Sequence, residues 1–171
     1  CFCGLTISKR DVTDFESVKQ IYDDIKKSMP PIGGVANGAM VLRDSSFATA
    51  LFEDFQAVLR PKIQGTINLD PLFSETSNEP LDWFIGFSSL AAMIGNPGQG
   101  AYSAGNGFIK DLVNRRRSKG LAGSVIHISR VAGIGYIERE LTKDLQHRLK
   151  TRSGTLVMSD VDLHQLFAEA I

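Results

Sequence analysis

The sequence predicts an α/β fold in which a parallel sheet is covered by helices on both faces. Short apolar runs of strand length alternate along the chain with longer segments whose apolar residues recur every three or four positions. The chain has 171 residues, of which 43% are hydrophobic and 22% charged, which is enough for one domain with a buried core. No internal repeat or low-complexity tract interrupts the alternation, so we expect no second domain.

Four apolar runs have the length and composition of strands. They comprise residues 1–7, 32–36, 83–87 and 124–128. Thr13 followed by Glu16 is a capping-box signature for the first helix, and Met29-Pro30-Pro31 ends that helix. Strands and helices therefore alternate from the start of the chain.

Further helices follow the later strands. A second helix is predicted over residues 47–69, with a break or kink just before Lys62 because Pro61 has no backbone N–H. A third begins near Ala101 and ends near Gly120. Two more are predicted towards the carboxyl end: one carries Ile137, Leu141, Leu145 and Leu149, and the last is capped by Ser159 with Asp162.

Composition excludes several classes of function. The formal charge is zero and the sequence pI is near 7.0, so no global field would attract nucleic acid or an anionic membrane. No apolar run is long enough to span a membrane, and no signal peptide is visible. Cys1 and Cys3 are expected to be free thiols in a reducing compartment, which predicts a cytoplasmic protein.

The three histidines give no indication of a metal site. His127, His147 and His164 lie far apart in the sequence, without cysteine or carboxylate partners at ligand spacing. We expect His127 to lie on a strand and the other two on helix faces. Arg115, Arg116, Arg117 and Lys119 are interpreted as a solvated helix end, where positive charge is favourable, and not as a nucleic-acid patch.

The segment with the most chemical content is FSSLAAMIGNPGQGAYSAGN, residues 87–106. A buried strand ends here in Ser88 and Ser89, a glycine- and proline-rich loop follows, and the next helix carries Tyr102 and Asn106 on one face. In open α/β sheets, ligands bind in the crevice at the carboxyl ends of the strands. The hydroxyl of Ser89 and the phenol of Tyr102 are therefore expected to converge on one small ligand.

This pair suits the reduction of a carbonyl group. Hydride transfer to a ketone produces an alkoxide, which needs a hydrogen-bond donor and then a proton. Ser89 would hold the oxygen and Tyr102 would donate the proton, provided that a nearby cation lowers the tyrosine pKa from about 10. The alternative is that the serines only cap a loop and that Tyr102 and Asn106 are ordinary helix residues.

Four segments together resemble a known family: IGGVANGAMVLRD, VLRPKIQGTINL, FSSLAAMIGNPGQGAYSAGN and VAGIGY. They are similar to the ketoreductase domain of iterative, highly reducing polyketide synthases of the fungal type, including hybrids with nonribosomal peptide synthetases. The resemblance extends to the closing SDVDLHQLFAEAI. It implies the short-chain dehydrogenase/reductase superfamily and a Rossmann-like, doubly wound parallel sheet, here truncated at its amino terminus.

The resemblance also implies roles for individual residues. Ser89 would bind the carbonyl, Tyr102 would donate the proton, and Asn106 would be the orienting partner. Lys62 would supply the required cation, although a lysine at such a position is more often solvated. The cofactor would be NADPH, bound by Asp11, Val12, Asn37 and Gly38 together with Lys62 and Tyr102. The substrate would be a β-ketoacyl chain tethered to an acyl carrier protein, within a multifunctional synthase for secondary metabolites with neighbouring domains.

The sequence departs from that family in two places. Relatives begin with two further strands and a glycine-rich turn for the cofactor pyrophosphate, so the chain is expected to start at about the third strand and to be inert as an isolated piece. Ser129-Arg130 stands where relatives usually carry smaller or apolar residues. The alternatives to a β-ketoacyl reductase are a noncatalytic structural module of a synthase and a free small-molecule dehydrogenase.

Overall fold

The structure, a computed structural model, describes residues 4–74, 80–132 and 157–171. In these ranges the helices are α1 (Phe15–Ser28), α2 (Phe52–Leu69), a 3₁₀ turn (Asp70–Phe73), α3 (Ala91–Ile94), α4 (Gly100–Ser118) and α5 (Asp160–Ala170). The strands are β1 (Gly34–Asn37), β2 (Trp83–Ser89), β3 (Ser124–Ile128), β4 (Arg130–Val131) and β5 (Val157–Met158). The α/β alternation predicted from the sequence is confirmed.

The central sheet is parallel and has the order β1-β2-β3. Strand β2 is the middle strand, and its side chains alternate between two helical layers. Phe84 packs against Ile109 of α4 on one face, whereas Trp83 and Phe87 contact Phe167 of α5 on the other. The prediction of helices on both faces is therefore confirmed, and β2 carries the centre of the core.

Helix α4 approaches β2 unusually closely at Gly86. A Cβ atom added to this glycine would lie 2.2 Å from Cγ2 of Ile109, a distance that no side chain tolerates. The absence of a side chain therefore lets α4 lie directly on the middle strand. This contact fixes the height of α4 above the sheet and, with it, the position of the first turn of that helix.

Arg116 contradicts the prediction of a fully solvated basic helix end. Its side chain is buried, donating from Nη1 to Asp70 at 2.6 Å and from Nη2 to the Phe73 carbonyl at 3.1 Å. Its Nε donates to the Ala122 carbonyl, and the guanidinium lies 4.2 Å from the ring centroid of Phe84. A planar guanidinium has enough donors to satisfy all these groups at once. The spacing of basic residues along α4 does not indicate this burial.

We expect Arg116→Met to destabilise the fold by about 3 kcal/mol, because it removes the buried donor to the Asp70 carboxylate and to two carbonyl groups. The measurement is chemical denaturation of the native protein, monitored by circular dichroism. Arg117→Met is the matched control, since Arg117 is exposed on the same helical turn. Equal stabilities of the two variants would contradict a structural role for the buried guanidinium.

Three predicted boundaries are wrong. Residues 4–7 are not a strand: Leu5 and Ile7 are exposed, and no described strand pairs with this segment to stabilise an extended conformation. Helix α2 begins at Phe52, not near Phe47, and it continues through Pro61 without a break, which its packing against α4 supports. The N-cap of α1 is Asp14, whose side chain accepts from the Glu16 N–H.

Other predictions are confirmed or fall outside the described ranges. Helix α1 ends before Met29, α4 ends before Gly120, and Ser159 and Asp162 form the capping box of α5. His127 lies on β3 and His164 on α5. The predictions for Cys1, Cys3, His147 and the helix carrying Ile137, Leu141, Leu145 and Leu149 lie outside the described residues.

Within the described ranges, no helix combines the length and the apolar character that crossing a membrane requires. The same part of the chain contains no group of three or more His, Cys, Asp or Glu side chains placed to hold a metal ion.

Candidate active site

Ser89 and Tyr102 meet where β2 ends and α4 begins. Ser89 is the last residue of β2, and its Oγ accepts a hydrogen bond of 3.2 Å from the Ala91 N–H. Tyr102 lies in the first turn of α4, and the side chains of Ser89 and Asn106 lie close enough to its phenol to affect its pKa. Ser103 donates to the Ala91 carbonyl at 3.0 Å and so joins the start of α4 to α3. The predicted convergence of the serine hydroxyl and the phenol is present in the structure.

Asn106 lies one helical turn after Tyr102 and is completely buried. Its Nδ2 donates to the backbone carbonyl of Tyr102 at 2.8 Å, and its side chain also contacts the phenol. A backbone carbonyl is only an acceptor, so this bond defines which end of the carboxamide carries the NH₂ group. The predicted shared face of Tyr102 and Asn106 is confirmed.

Lys62 faces inward from α2 and is 2% exposed. Its Nζ donates a hydrogen bond of 2.7 Å to the carbonyl of Phe87, two residues before Ser89. The lysine stem crosses α4 at Gly105, where an added Cβ would lie 3.1 Å from the Lys62 Cβ. Burial lowers the pKa of Lys62 from 10.5 to about 8. The structure therefore has a buried lysine against β2, two residues before Ser89, and the solvated-surface alternative is wrong.

The pKa of Tyr102 is raised above its ordinary value of 10.0, mainly because burial disfavours the phenolate. Hydrogen bonds to Ser89 and Asn106 act in the opposite direction, and the negative charge of Asp44 raises the pKa further. The phenol is therefore fully protonated near neutral pH and carries the proton that a donor needs. The lowering that the sequence argument attributes to Lys62 stays a prediction.

The chain on either side of the site is held together by a second set of contacts. Gln99 donates from Nε2 to Asp44 at 2.9 Å, and the Ser45 N–H donates to the Gly98 carbonyl at 3.0 Å. These bonds join the loop after β1 to the loop before α4. They place the Asp44 carboxylate near Tyr102, an arrangement that no local sequence pattern indicated.

We expect Asp44→Asn to lower the pKa of Tyr102, because the variant removes a nearby negative charge while an amide oxygen can still accept from Gln99. The measurement is a pH titration of the native protein with isotopically labelled tyrosine, followed by NMR at the phenolic carbon. Asp111→Asn is the control, since Asp111 is exposed on a different face of α4. An unchanged or increased Tyr102 pKa in Asp44→Asn would refute the electrostatic effect.

Four residues are predicted to contact only the cofactor: Asp11, Val12, Asn37 and Gly38. They lie around the carboxyl end of β1. Asn37 is its last residue, and a Cβ added to Gly65 of α2 would lie 2.9 Å from Val12 and 3.5 Å from the Asn37 amide nitrogen. Asn68 donates to the Val12 carbonyl at 2.9 Å. Helix α2 thus brings the Asp11–Val12 segment alongside the end of β1.

This arrangement fits a dinucleotide. The Asn37 side chain is fully occupied within the protein, donating to Thr66 at 2.9 Å and accepting from the Ala39 N–H at 3.1 Å. What remains available to a ligand is the backbone at Gly38, which is exposed although the Phe87 ring packs against one side of it. Asp11, Val12, Asn37 and Gly38 therefore lie near the same end of β1, and their contact with a cofactor stays a prediction.

Sequence reasoning missed several residues that build this region: Asp44, Gln99, Thr66 and Asn68. Thr66 and Asn68 are both buried on α2, and both are polar, so each needs a hydrogen-bond partner within the protein. For Asp44 and Gln99 the only local signal was their place in turn-rich loops, since their contact joins residues far apart in sequence.

Comparisons with known proteins agree with the geometry. The family model described as KR domain matches residues 3–133. The chain is 52% identical to a fusarielin synthase of Gibberella zeae and 44% identical to a polyketide synthase-nonribosomal peptide synthetase of Pyricularia grisea, with 94% and 96% of the chain aligned. The chain spans only 6% and 4% of the length of these two relatives.

Solved ketoreductases have the same fold. An A-type ketoreductase from a modular polyketide synthase superposes with a TM-score of 0.83 at 27% identity, covering 96% of this chain and 33% of the other. A ketoreductase domain from the bacillaene assembly line gives 0.80 at 29% identity, covering 95% of this chain and 39% of the other. The chain therefore belongs to the KR domain family, the ketoreductase domains of polyketide synthases.

Proposed function

We propose that this chain carries the catalytic half of an NADPH-dependent β-ketoacyl reductase, which acts on a chain tethered to an acyl carrier protein within a larger polyketide synthase. The observation that supports this most directly is that Ser89, Tyr102 and Asn106 lie where β2 ends and α4 begins, with Lys62 buried against the Phe87 carbonyl of the same strand. Three different elements contribute these side chains, and each is held by a contact that orients its polar end.

Each residue has a defined task in this proposal. When bound, NADPH supplies a hydride to the β-carbon of the substrate. The Ser89 hydroxyl donates a hydrogen bond to the carbonyl oxygen, on which negative charge develops, and Tyr102 transfers its phenolic proton to that oxygen. Asn106 donates to the phenol oxygen and stabilises the negative charge that Tyr102 acquires. Lys62 contributes positive charge beneath the same site.

A preference for NADPH over NADH is supported by the charges around Asp11. Lys9 and Arg10 precede this residue and are exposed, as is Arg60 on α2. Hydrogen bonds from Thr13, and to a smaller extent the charge of Arg60, lower the pKa of Asp11. Cations around Asp11 would attract the additional phosphate that distinguishes NADPH from NADH.

The test is steady-state turnover of a β-ketoacyl thioester by the native protein, with NADPH and NADH compared at equal concentrations. We expect thioester-dependent oxidation of NADPH, a β-hydroxyacyl product by mass spectrometry, and a lower kcat/KM with NADH. NADPH binding without turnover would favour a noncatalytic structural module. Equal use of both cofactors would overturn the NADPH preference while leaving the ketoreductase assignment intact.

A further inference from the structure

Three polar atoms beneath α4 are buried and lack a hydrogen-bond partner within the described part of the chain. They are Oγ of Ser88, Oδ1 of Asn106 and Nδ1 of His127. Ser88 is 3% exposed and Asn106 is 0% exposed. Buried polar atoms without partners are costly and uncommon in natural folds, and an internal water is the usual solution.

Strand register places Ser88 and His127 side by side. Ser88 pairs with His127 across β2 and β3, just as Gly86 pairs with Val125 two residues earlier. Gly86 and Val125 both face α4, since both lie against the core that contains Ile109. Side chains two residues apart on a strand point to the same face. Ser88 and His127 therefore also point towards α4.

The direction of α4 places Asn106 over this pair. Along β2, Phe84 contacts Arg116 and Gly86 contacts Ile109, so advancing along the strand corresponds to moving back along the helix. Two residues beyond Gly86 is Ser88, and three residues before Ile109, on the same helical face, is Asn106. The three buried atoms therefore face one small space between β2, β3 and α4.

We propose that Ser88, Asn106 and His127 hold one internal water molecule in this space. The hydrogen-bonding capacities match: the water donates to Asn106 Oδ1 and to an unprotonated His127 Nδ1, and it accepts from the Ser88 hydroxyl. Three bonds are the typical number for a buried water. His127 also lines an open groove of about 330 Å³ with Ala92, Met93, Gly107, Lys110 and Asp111, which gives the water a short route to solvent.

This water would orient Asn106, a role that rests on the function proposed above. Nδ2 of Asn106 donates to the Tyr102 carbonyl, so a donor on Oδ1 keeps the carboxamide from rotating and holds its NH₂ group towards Tyr102. Ser88 and His127 are therefore positioning residues. They act on Tyr102 through the water and Asn106, without contacting the substrate.

The first test is a structure of the native protein at a resolution that shows ordered water. The expected result is a water within hydrogen-bond distance of Ser88 Oγ, Asn106 Oδ1 and His127 Nδ1. A direct bond between Ser88 and His127, or a dry space between the three side chains, would overturn the proposal. This readout requires no turnover, so it separates failure of the water site from failure of the proposed activity.

The second test is whether Ser88→Ala lowers or raises the melting temperature. If the Ser88 hydroxyl binds water, Ser88→Ala lowers the melting temperature, by roughly 2–4 °C. If the hydroxyl has no partner, the same change removes a desolvation cost and the melting temperature rises, which would overturn the proposal. Ser88→Ala and His127→Phe should also be non-additive, because they share the water. Ser118→Ala, an exposed site, is the control and should combine additively with His127→Phe.

The third test is whether Ser88 helps to orient Asn106 for catalysis. We expect Ser88→Ala to reduce kcat several-fold with KM unchanged, and Ser88→Thr, which keeps the hydroxyl, to retain the wild-type kcat. A Ser88→Ala variant that loses the water but retains full kcat would overturn the positioning role.

Discussion

Tyr102→Phe should reduce the turnover of a β-ketoacyl thioester by about 1,000-fold while the protein still binds NADPH. Phenylalanine keeps the aromatic ring and removes only the hydroxyl that carries the proton. Binding and chemistry should therefore separate. The measurements are kcat for thioester reduction and a calorimetric titration with NADPH, each compared with the wild-type native protein.

The matched control for this experiment is Tyr22→Phe. Tyr22 lies on α1, where its ring packs edge-on against Phe73 at a centroid distance of 5.4 Å, away from the site. Loss of that hydroxyl should leave kcat unchanged. Near-normal turnover by Tyr102→Phe would show that another group donates the proton, and the assignment of Tyr102 would then be wrong.

Lys62→Met should abolish most of the activity and, at the same time, stabilise the fold at neutral pH. The activity falls because the site loses its buried cation, and the pH–rate profile shifts to higher pH because the phenol of Tyr102 loses the positive charge that favours its ionised form. The stability rises because methionine can be buried without removing a charge from water. Such opposite effects are common where a functional group is held in an unfavourable environment.

The pH dependence of stability follows from the lowered pKa of Lys62. Between pH 8 and 10.5 the unfolded chain retains a proton that the folded protein releases, so the contribution of this group to stability increases with pH. Below that range the folded protein carries the full cost of the buried charge, about 3 kcal/mol by the shift alone. The hydrogen bond to the Phe87 carbonyl offsets part of this cost, so we expect a gain of about 2 kcal/mol for Lys62→Met at pH 7.

Denaturation of the wild type and of Lys62→Met at a series of pH values measures this effect. The difference in unfolding free energy should decrease as the pH rises through 8 towards 10.5. Lys27→Met is the control, because Lys27 is exposed at the end of α1. If Lys62→Met is less stable than the wild type at pH 7, the ammonium group stabilises the fold and the argument from desolvation is wrong.

The sequence by itself determined the features that depend on neighbouring residues. The alternation of apolar runs with helical periodicity identified the parallel α/β fold. The strand ending at Ser89, the turn-rich loop and the helix carrying Tyr102 and Asn106 form one continuous segment, so their relative placement follows from strand and helix geometry. The ends of α1 before Met29 and of α4 before Gly120 followed from the local preferences of proline and glycine.

Only the tertiary structure decided features that depend on contacts between distant parts of the chain. Lys62 and Arg116 have the same sequence signature as solvated basic residues, and both are buried because neighbouring elements supply carbonyl or carboxylate acceptors. Pro61 lies in an unbroken helix, against its local preference, and residues 4–7 are apolar but are not a strand. The physical reason is the same in each case. The free energy of a buried charge, an interrupted helix or an unpaired strand depends on the groups packed against it. Strand register and helix packing determine which groups those are.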